Sequence, residues 1–468
     1  MKNKITRRDA LKGLIIGASG IPLLINSASC RHGADEDTRK IPVRSNGNSD
    51  VTVPITAITL GAGSRGNVYG NYGVEFPNEL NIVGVAEPIP LRNERYAVKH
   101  DIPEDKRFVT WEHVFERPKF ADAIIITTPD DLHYGPCMQA LEMGYDVLLE
   151  KPIAPTEEEC RDILALAQKT GRIVAVCHVL RYAPYFIKLR EMIQSGAIGE
   201  LVSVQHMEPI HHVHMAHSFV RGNWHNSIKT TPIILAKSCH DFDILRWIVG
   251  EPCKSIAAFG GLKWFKKSNA PQGSTDRCTD GCPVESSCPY SALKIYHRDR
   301  AYTYVFDFPD DKNTHGEFIL EQLRTTDYGR CVYKMDNDQP DHFVSSMEFE
   351  DGVTANFSME AFTSYHGRRT RIMGSKGDIT GDMTEFVHTD FLTNKVTKWD
   401  ISVEDVDNYK NSGHGGGDWA LVTDWIQAVN QQNPDLLTSS IDASIESHIM
   451  GFMAEKSRLS NKTMSVEL

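Results

Sequence analysis

Three glycines follow a short apolar run that is rich in β-branched residues. The sequence ITAITLGAGSRG, residues 55–66, places them at Gly61, Gly63 and Gly66. In this spacing the first glycine permits a tight turn, the second lets the backbone approach a pyrophosphate, and the third lets a helix pack closely on its strand. The N–H groups at the start of that helix would face the phosphates. The pattern predicts a dinucleotide-binding turn that includes Ser64 and Arg65.

A second apolar run, residues 81–86, ends at an acidic residue, Glu87. This residue lies about 20 positions beyond the glycine turn, where a carboxylate can accept both ribose hydroxyls of an adenosine. A carboxylate at that place would also repel a 2′-phosphate. We therefore expect NAD as the cofactor, in preference to NADP.

The elements that must position this turn alternate between strands and helices. A capping box of Thr156 and Glu159 opens one helix, which is expected to stop at Gly171. Further buried strands are predicted at 121–128, 146–149 and 172–177. Such alternation indicates an α/β architecture, a Rossmann-type doubly wound parallel sheet over residues 54–178.

The pattern changes after residue 178. Strand-like segments now follow one another with few helices, at 201–205, 255–259, 302–308, 317–323, 346–349, 353–359 and 369–373. Helices are predicted at 185–194, 232–249 and 419–431. Residues 179–468 are therefore expected to form an α+β domain with a large, mostly antiparallel sheet. Such a sheet has an open face that can join subunits, so we expect a homo-oligomer.

Three further motifs lie where this fold would bind a ligand. Glu150-Lys151-Pro152 ends one parallel strand, Thr127-Thr128-Pro129 ends the preceding strand with His133 following, and His240-Asp241-Phe242-Asp243 lies in a predicted helix. With the glycine turn, these motifs resemble the Gfo/Idh/MocA family of oxidoreductases over nearly all of residues 54–468. The resemblance implies oxidation of carbohydrate or polyol hydroxyls by NAD. It also assigns Thr128, Pro129, His133 and Glu150 to the cofactor site.

Lys151 and His240 are the first candidates for catalysis. The end of a parallel strand faces the ligand crevice, so the Lys151 ammonium could reach a nicotinamide ribose and a substrate hydroxyl. A neutral imidazole at His240 could accept the hydroxyl proton. Many family members carry an aspartate four residues before this histidine, but here the residue is Ala236. On one helix Lys237 would share a face with His240 and lower its pKa, so a lysine–histidine pair is an alternative base arrangement.

Several more polar residues are candidates for substrate binding. The resemblance places His178, Tyr182 and His414 at the sugar pocket, and it places Arg181 near the cofactor, where it could also donate to sugar hydroxyls. Asp243 belongs to the same set through its motif. The histidine-rich stretch from His206 to His217 is interpreted as a substrate-binding loop, with a metal site as the weaker alternative. Within it we select His211 and His214.

Three cysteines lie close together in a polar segment without clear secondary structure. They are Cys278, Cys282 and Cys288, in a Cys-rich insertion at about residues 262–300. With one more ligand they could hold a structural zinc ion. In an oxidising compartment a disulfide within the cluster is an equal alternative.

The first residues have the features of an export signal. Arg7 and Arg8 resemble a twin-arginine motif, an apolar stretch follows, and small residues precede Cys30. Cys30 is either the lipidated residue of a lipoprotein or a chance cysteine near an ordinary cleavage site. Residues 31–53 are polar and are interpreted as a flexible linker. We expect a periplasmic protein, or one anchored to the cell envelope by lipid.

The composition excludes some partners. The 468-residue chain has a formal net charge of -12, which argues against nucleic acid or an anionic membrane surface as the main partner. The expected activity is that of an exported NAD-dependent oxidoreductase with a tightly bound, internally recycled cofactor. The alternatives are a redox-neutral NAD-dependent glycosidase and a non-catalytic sugar-binding protein. In each case the partner is a sugar or glycoside.

Overall fold

The computed structural model describes residues 53–403 and 412–467. The expected export signal, Cys30 and nearly all of the linker lie outside these residues. In the first half of the described chain the strands are β1 (Ile55–Leu60), β2 (Leu80–Ala86), β3 (Arg107–Phe108), β4 (Ala123–Ile126), β5 (Asp146–Leu149) and β6 (Val174–Val176). The helices are α1 (Ser64–Glu75), α2 (Pro90–Lys99), α3 (Glu112–Phe115), α4 (Tyr134–Glu142) and α5 (Glu157–Thr170).

These six strands form one parallel sheet in the order β3-β2-β1-β4-β5-β6. Strands β4 and β5 are buried along their whole length, as expected for strands covered by helices on both faces. Their carboxyl ends meet at one edge beside the end of β1. The strand order reverses between β1 and β4, so the ligand crevice lies at this point. The predicted Rossmann-type fold is confirmed.

The second half of the described chain contains more helices and strands than the first half. Its helices are α6 (Pro184–Gln194), α7 (His212–His214), α8 (Ile233–Ala236), α9 (Cys239–Val249), α10 (His315–Thr325), α11 (Gly417–Gln431) and α12 (Ile441–Ser460). Its strands are β7 (Leu201–Pro209), β8 (Cys253–Gly261), β9 (His342–Phe349), β10 (Thr354–Glu360), β11 (Arg369–Gly374), β12 (Gly377–Gly381), β13 (Glu385–Asp390), β14 (Val396–Asp400) and β15 (Met464–Ser465).

These strands form a nine-stranded sheet in the order β14-β13-β12-β11-β7-β10-β9-β8-β15. Strands β7 and β10 pair in parallel, and the other neighbours pair in antiparallel fashion. Alternate residues of β9 are buried, which leaves the opposite face of the sheet open. The predicted α+β domain with a mostly antiparallel sheet is confirmed.

Helix α12 also packs against the first sheet. Its residues Ile441, Ile445 and Ile449 are buried in the apolar cluster that contains β4 and β5. The backbone N–H of Ile153 donates to Nε2 of His448 in the same helix, at 3.0 Å. The sheet of the first domain is therefore covered in part by residues far along the chain.

Two predicted strands are wrong. Residues 317–323 belong to helix α10, in which Ile319 and Leu323 are both fully buried. Their spacing of four places them on one helical face, whereas the short apolar run 318–320 can equally be taken for part of a strand. Residues 302–308 contain a short 3-10 turn, Thr303–Val305, instead of a strand.

The insertion between β8 and β9 is longer than expected and runs over residues 262–341. Four cysteines, Cys278, Cys282, Cys288 and Cys331, line a cavity of about 20 Å³ within it. All are free thiols. In residues 53–403 and 412–467 no group of three or more His, Cys, Asp or Glu side chains could hold a metal ion. The zinc prediction is thus without support. Arg221 Nη2 lies 3.8 Å from Cys278 Sγ.

Within the same described ranges, no helix has both the length and the apolar character that crossing a membrane requires.

Candidate active site

The glycine turn has the geometry of a dinucleotide cradle. Gly61 has a φ of +93°, and a Cβ there would lie 2.6 Å from the Thr127 carbonyl oxygen. A Cβ on Gly66 would lie 2.1 Å from the Gly61 oxygen. In contrast, a Cβ on Gly63, the N-cap of α1, would meet no atom closer than 3.9 Å. The first and third glycines therefore pack the turn, while the second leaves room for a phosphate at a helix N-terminus.

Glu87 is held at the end of β2 next to that turn. Its Oε2 accepts a hydrogen bond from the backbone N–H of Ala62 at 2.8 Å, and its Oε1 accepts one from Ile89 N–H at 2.9 Å. A carboxylate has about four acceptor sites, so two bonds leave capacity for ribose hydroxyls. The residues present fit an adenosine ribose, as the spacing predicts.

The two loops after β4 and β5 are joined by His133. Its Nδ1 lies 2.7 Å from the carbonyl oxygen of Pro152, and its Nε2 lies 3.0 Å from that of Thr128. Both nitrogens therefore face protein backbone. His133 thus positions the loops that contain Thr128, Pro129 and Lys151, in place of the direct cofactor contact expected for it.

A chain of charged groups crosses between the domains beside the glycine turn. Arg65 donates to Glu150, and its Nη2 donates to Asp418 Oδ1 at 2.8 Å. Asp418 Oδ1 also lies 3.1 Å from Nδ1 of His414. Glu150 in turn accepts a hydrogen bond from the backbone N–H of Lys151 at 2.9 Å. Arg65 and Glu150 are expected as cofactor ligands. In the structure they connect the glycine turn with Asp418 and with the backbone of Lys151.

Burial and charge act in opposite directions on this chain. Burial raises the pKa of the Glu150 carboxyl, but the positive charges of Arg65 and Lys151 outweigh it, so this pKa lies below its ordinary value. The pKa of Asp418 is also held well below its ordinary range, because the His414 hydrogen bond and the Arg65 charge outweigh burial. Both carboxylates are therefore charged at neutral pH.

Lys151 and His240 approach each other from different domains. Lys151 Nζ donates to the carbonyl oxygen of Ala236 at 2.8 Å, four residues before His240 in the sequence. Burial lowers the pKa of His240 well below its ordinary value, and the charges of Lys151 and Arg368 add to this effect. Its Nδ1 is buried and has no hydrogen-bond partner among the described residues. A neutral imidazole with an unused nitrogen can act as a base.

Lys237 is not the lysine that acts on His240. The predicted helix 232–249 is broken into α8 and α9 at Lys237 and Ser238. The two side chains therefore do not share a helical face, and Lys237 Nζ lies 3.3 Å from Glu208 Oε1. The lysine whose charge lowers the pKa of His240 is Lys151.

Two other imidazoles face His240. The rings of His178 and His414 each lie with their centroids 6.0 Å from that of His240. His178 is fully buried, and burial lowers its pKa well below the ordinary value. Neither of its ring nitrogens has a hydrogen-bond partner among the described residues. His178 and His414 therefore adjoin His240, and their contact with a substrate stays a prediction.

Arg181, Tyr182 and Asp243 are placed differently from expectation. Arg181 forms two hydrogen bonds with Asp243, of 2.8 and 2.7 Å, and donates to two backbone carbonyls. The Tyr182 hydroxyl donates to Asp424 at 2.8 Å. Their polar atoms form hydrogen bonds with other protein groups. These three side chains therefore have a structural role instead of the predicted contact with a ligand.

The histidine-rich stretch divides into structural and accessible members. His206 lies in β7, with its nitrogens next to Thr370 and Asp241. His211 stacks on His366 at 4.5 Å between centroids, and His214 stacks on Tyr302 at 5.7 Å. Burial and the Lys237 charge lower the pKa of His214. The predicted substrate loop is helical from His212 to Arg221, and the pKa values of His211 and His214 lie below the ordinary value.

Sequence reasoning missed Asp130, Arg368 and Asp418. Asp130 accepts hydrogen bonds from Trp224 Nε1 at 2.8 Å and from Thr231 Oγ1 at 2.7 Å, which links the β4 loop to the second domain. Its position directly after Thr128-Pro129 was an available signal. Arg368 pairs with Asp241 at 2.6 Å, and no local pattern indicated this contact.

Family models match most of the chain. The model described as an oxidoreductase family with an NAD-binding Rossmann fold matches residues 55–178, and the C-terminal alpha/beta domain of the same family matches residues 190–466. The chain belongs to the Gfo/Idh/MocA oxidoreductase family. It is therefore an NAD-binding oxidoreductase by family, as the motifs indicated.

Two individual proteins are similar to this chain in sequence, at 27% and 30% identity. The putative oxidoreductase YteT of Bacillus subtilis is 27% identical over 368 residues, which are 75% of this chain and 82% of that protein. An inositol 2-dehydrogenase of Corynebacterium glutamicum is 30% identical over 154 residues, 30% of this chain and 42% of the relative. The second match thus spans less than half of the relative's length.

Solved structures share the fold. A levoglucosan dehydrogenase in complex with NADH and levoglucosan has a TM-score of 0.65 at 14% identity, covering 89% of this chain and 100% of its own. An inositol dehydrogenase homologue from Azotobacter vinelandii, with NADH and myo-inositol, has a TM-score of 0.63 at 17% identity, covering 89% and 98%.

Proposed function

We propose that this protein oxidises a hydroxyl group of a carbohydrate or polyol with a bound NAD. The observation that carries the proposal is the meeting of Lys151 and His240 from two domains at the carboxyl edge of the parallel sheet. The glycine turn and Glu87 lie at the same edge. Bound at this edge, NAD would supply the hydride acceptor.

The two central residues have separate roles. His240, kept neutral by burial and by Lys151, accepts the proton of the substrate hydroxyl. The Lys151 ammonium, held by the Ala236 carbonyl, stabilises negative charge on that oxygen as the carbon–hydrogen bond breaks. The hydroxyl oxygen thus gives its proton to the protein and the carbon that bears it gives a hydride to the cofactor, which leaves a ketone or aldehyde.

The substrate class follows from the groups around this pair. His178 and His414 offer imidazole nitrogens beside His240, which can donate to or accept from hydroxyl groups. Relatives of this chain bear the names inositol 2-dehydrogenase and levoglucosan dehydrogenase. A polyhydroxylated ring is the substrate that these observations favour.

A second candidate is redox-neutral cleavage of a glycoside. In that reaction transient oxidation at C3 acidifies the C2 proton, the aglycone is eliminated, water adds and the ketone is reduced. It requires a second base, and the His414 imidazole, which contacts the Asp418 carboxylate at 3.1 Å, lies close to His240. The Asp418 charge would stabilise the imidazolium that forms.

We also propose export and retention of the cofactor. Residues 1–30 have the features of a twin-arginine signal, and that route carries folded proteins with their cofactor bound. Outside the cytoplasm free NAD is scarce, so the bound molecule would need to be regenerated in each catalytic cycle.

A homo-oligomer would use the open face of the nine-stranded sheet. Val202, Phe259 and Val344 leave about half of their side-chain surface exposed, on strands β7, β8 and β9. Such apolar exposure favours association with a second copy.

The test begins with protein purified without added cofactor. Dinucleotide released by denaturation is quantified, and native protein is incubated with free sugars, polyols and aryl glycosides. Oxidised sugar supports the first proposal, and aglycone release with less than one NADH per turnover supports the second. The variant Lys151→Ala serves as the inactive control. Absence of any bound or bindable NAD would exclude both.

A further inference from the structure

The insertion between β8 and β9 returns to the first domain beside the glycine turn. Arg92 Nε donates to Asp307 Oδ1 at 2.7 Å. Nη1 of the same Arg92 is the protein atom nearest to a Cβ placed on Gly63, at 3.9 Å. Burial lowers the pKa of Arg92, but Asp307 and Glu87 outweigh burial and raise it. Arg92 therefore lies between the insertion and the expected positions of the phosphate and the ribose.

A second contact lies one turn further along α2. Nη2 of Arg95 donates to Asp310 Oδ1 at 2.6 Å and to the carbonyl oxygen of Phe308 at 2.9 Å. Arg92 and Arg95 are three residues apart and thus share a face of the helix. Residues 306–310 of the insertion follow this face.

The same stretch is anchored in the body of the insertion. Phe306 is buried in an apolar cluster with Tyr296, Ile319 and Leu323. Its ring also lies 5.6 Å from that of Tyr328. Residues 306–310 are therefore attached to a packed unit through Phe306. Displacing them would disturb the packing of that unit.

We propose that residues 306–310 form a latch over the adenosine half of the dinucleotide site, which slows release of NAD between turnovers. This inference rests on the proposed function, since it concerns the same cofactor. Release would require the Arg92–Asp307 and Arg95–Asp310 pairs to open. Because both pairs are partly exposed, salt should screen them and speed release.

The experiment measures cofactor dissociation instead of turnover. Protein loaded with NADH is mixed with excess NAD, and the fall of NADH fluorescence gives the dissociation rate. The variants Arg95→Asp and Asp310→Arg each turn an attraction into a repulsion, and the double variant restores the pair. Asp299→Asn is the matched control, since it removes an exposed pair with Lys294 inside the insertion. Melting temperatures establish that every variant is folded.

We expect each single variant to release NADH about two- to fivefold faster, within the range that exposed ion pairs permit. The double variant should return to within about twofold of the wild type, and Asp299→Asn should match the wild type. Wild-type release should also accelerate with salt. Equal rates in all folded variants would overturn the latch and leave the proposed function intact. Failure of the wild type to bind dinucleotide would overturn both.

Discussion

Lys151 Nζ and the backbone carbonyl of Ala236 are joined by a hydrogen bond of 2.8 Å that crosses between the two domains. The main-chain oxygen of Ala236 thus holds the Lys151 ammonium in place without a carboxylate at position 236. The bond also places Lys151 beside His240, and the positive charge of Lys151 lowers the pKa of that histidine.

Replacing Lys151 by alanine should reduce kcat by about 10²- to 10⁴-fold, because the developing negative charge on the substrate oxygen loses its partner. Steady-state kinetics with the sugar found by the substrate panel provides the measurement. Lys169→Ala, in the last turn of α5, is the control and should be unchanged. Normal turnover by the Lys151 variant would remove the lysine from the mechanism.

The activity should persist at mildly acidic pH. A base works in its deprotonated form, and the lowered pKa of His240 keeps that form present below the ordinary value of about 6.5. The profile of kcat/KM against pH should therefore stay level through this value and fall only at lower pH. His240→Asn should lose the activity. A fall centred at or above pH 6.5 would contradict the assignment.

The substitution Lys237→Met distinguishes the two lysines near His240. Lys237 pairs with Glu208, and it is not among the charges that lower the pKa of His240. The acid limb of the pH profile should thus remain in place in this variant. A shift of that limb toward higher pH would instead show that Lys237 lowers the pKa of His240, as the lysine–histidine alternative predicts.

Alanine substitutions in the glycine turn should separate folding from binding. Gly63→Ala meets no close protein atom, so its melting temperature should match that of the wild type while NAD affinity falls. Gly61→Ala and Gly66→Ala place a Cβ within 3 Å of backbone oxygens and should lower the melting temperature as well. Calorimetry and NADH titration provide the two measurements. Undiminished NAD binding by folded Gly63→Ala would place the pyrophosphate elsewhere.

The substitution Arg65→Met should destabilise the protein by about 3 kcal/mol, because it removes the cation that two buried carboxylates share. The pKa values of Glu150 and Asp418 are lowered in the folded state, so their stabilisation is present above about pH 4 and is lost as the pH falls further. In the variant this acid-dependent loss should be smaller. Denaturant unfolding between pH 3 and pH 7 checks both statements.

Arg161→Met is the control for that series. Arg161 forms an exposed pair with Glu157 at 2.8 Å within α5, so its loss should cost less than about 1 kcal/mol. If the two variants were equally stable, the Arg65 chain would contribute no more than a surface pair.

The glycine turn and the alternation of strands were readable from the sequence because each depends on residues close in the chain. Gly61, Gly63 and Gly66 each have a local steric role, and the buried strands are continuous apolar runs. The capping box at Thr156 is likewise local and is confirmed.

The pairing of charged groups could not be read in this way. Arg65 and Asp418 are 353 residues apart, and nothing near either one indicates the other. Arg181 appeared to be a ligand residue because its partner Asp243 is distant in sequence. The break between Lys237 and His240 was also hidden, since the helical pattern continues through it.

Helix α12 has a consequence for how the protein is made. Ile441, Ile445 and Ile449 complete the apolar layer over β4 and β5, yet the ribosome adds them more than 250 residues after β6. During synthesis an apolar face of the nucleotide-binding half therefore stays exposed until α12 has been made. Such exposure favours chaperone binding and aggregation. A polypeptide cut after residue 178 would carry the whole glycine turn but would lack this cover. Such a fragment should therefore aggregate more readily than the full chain.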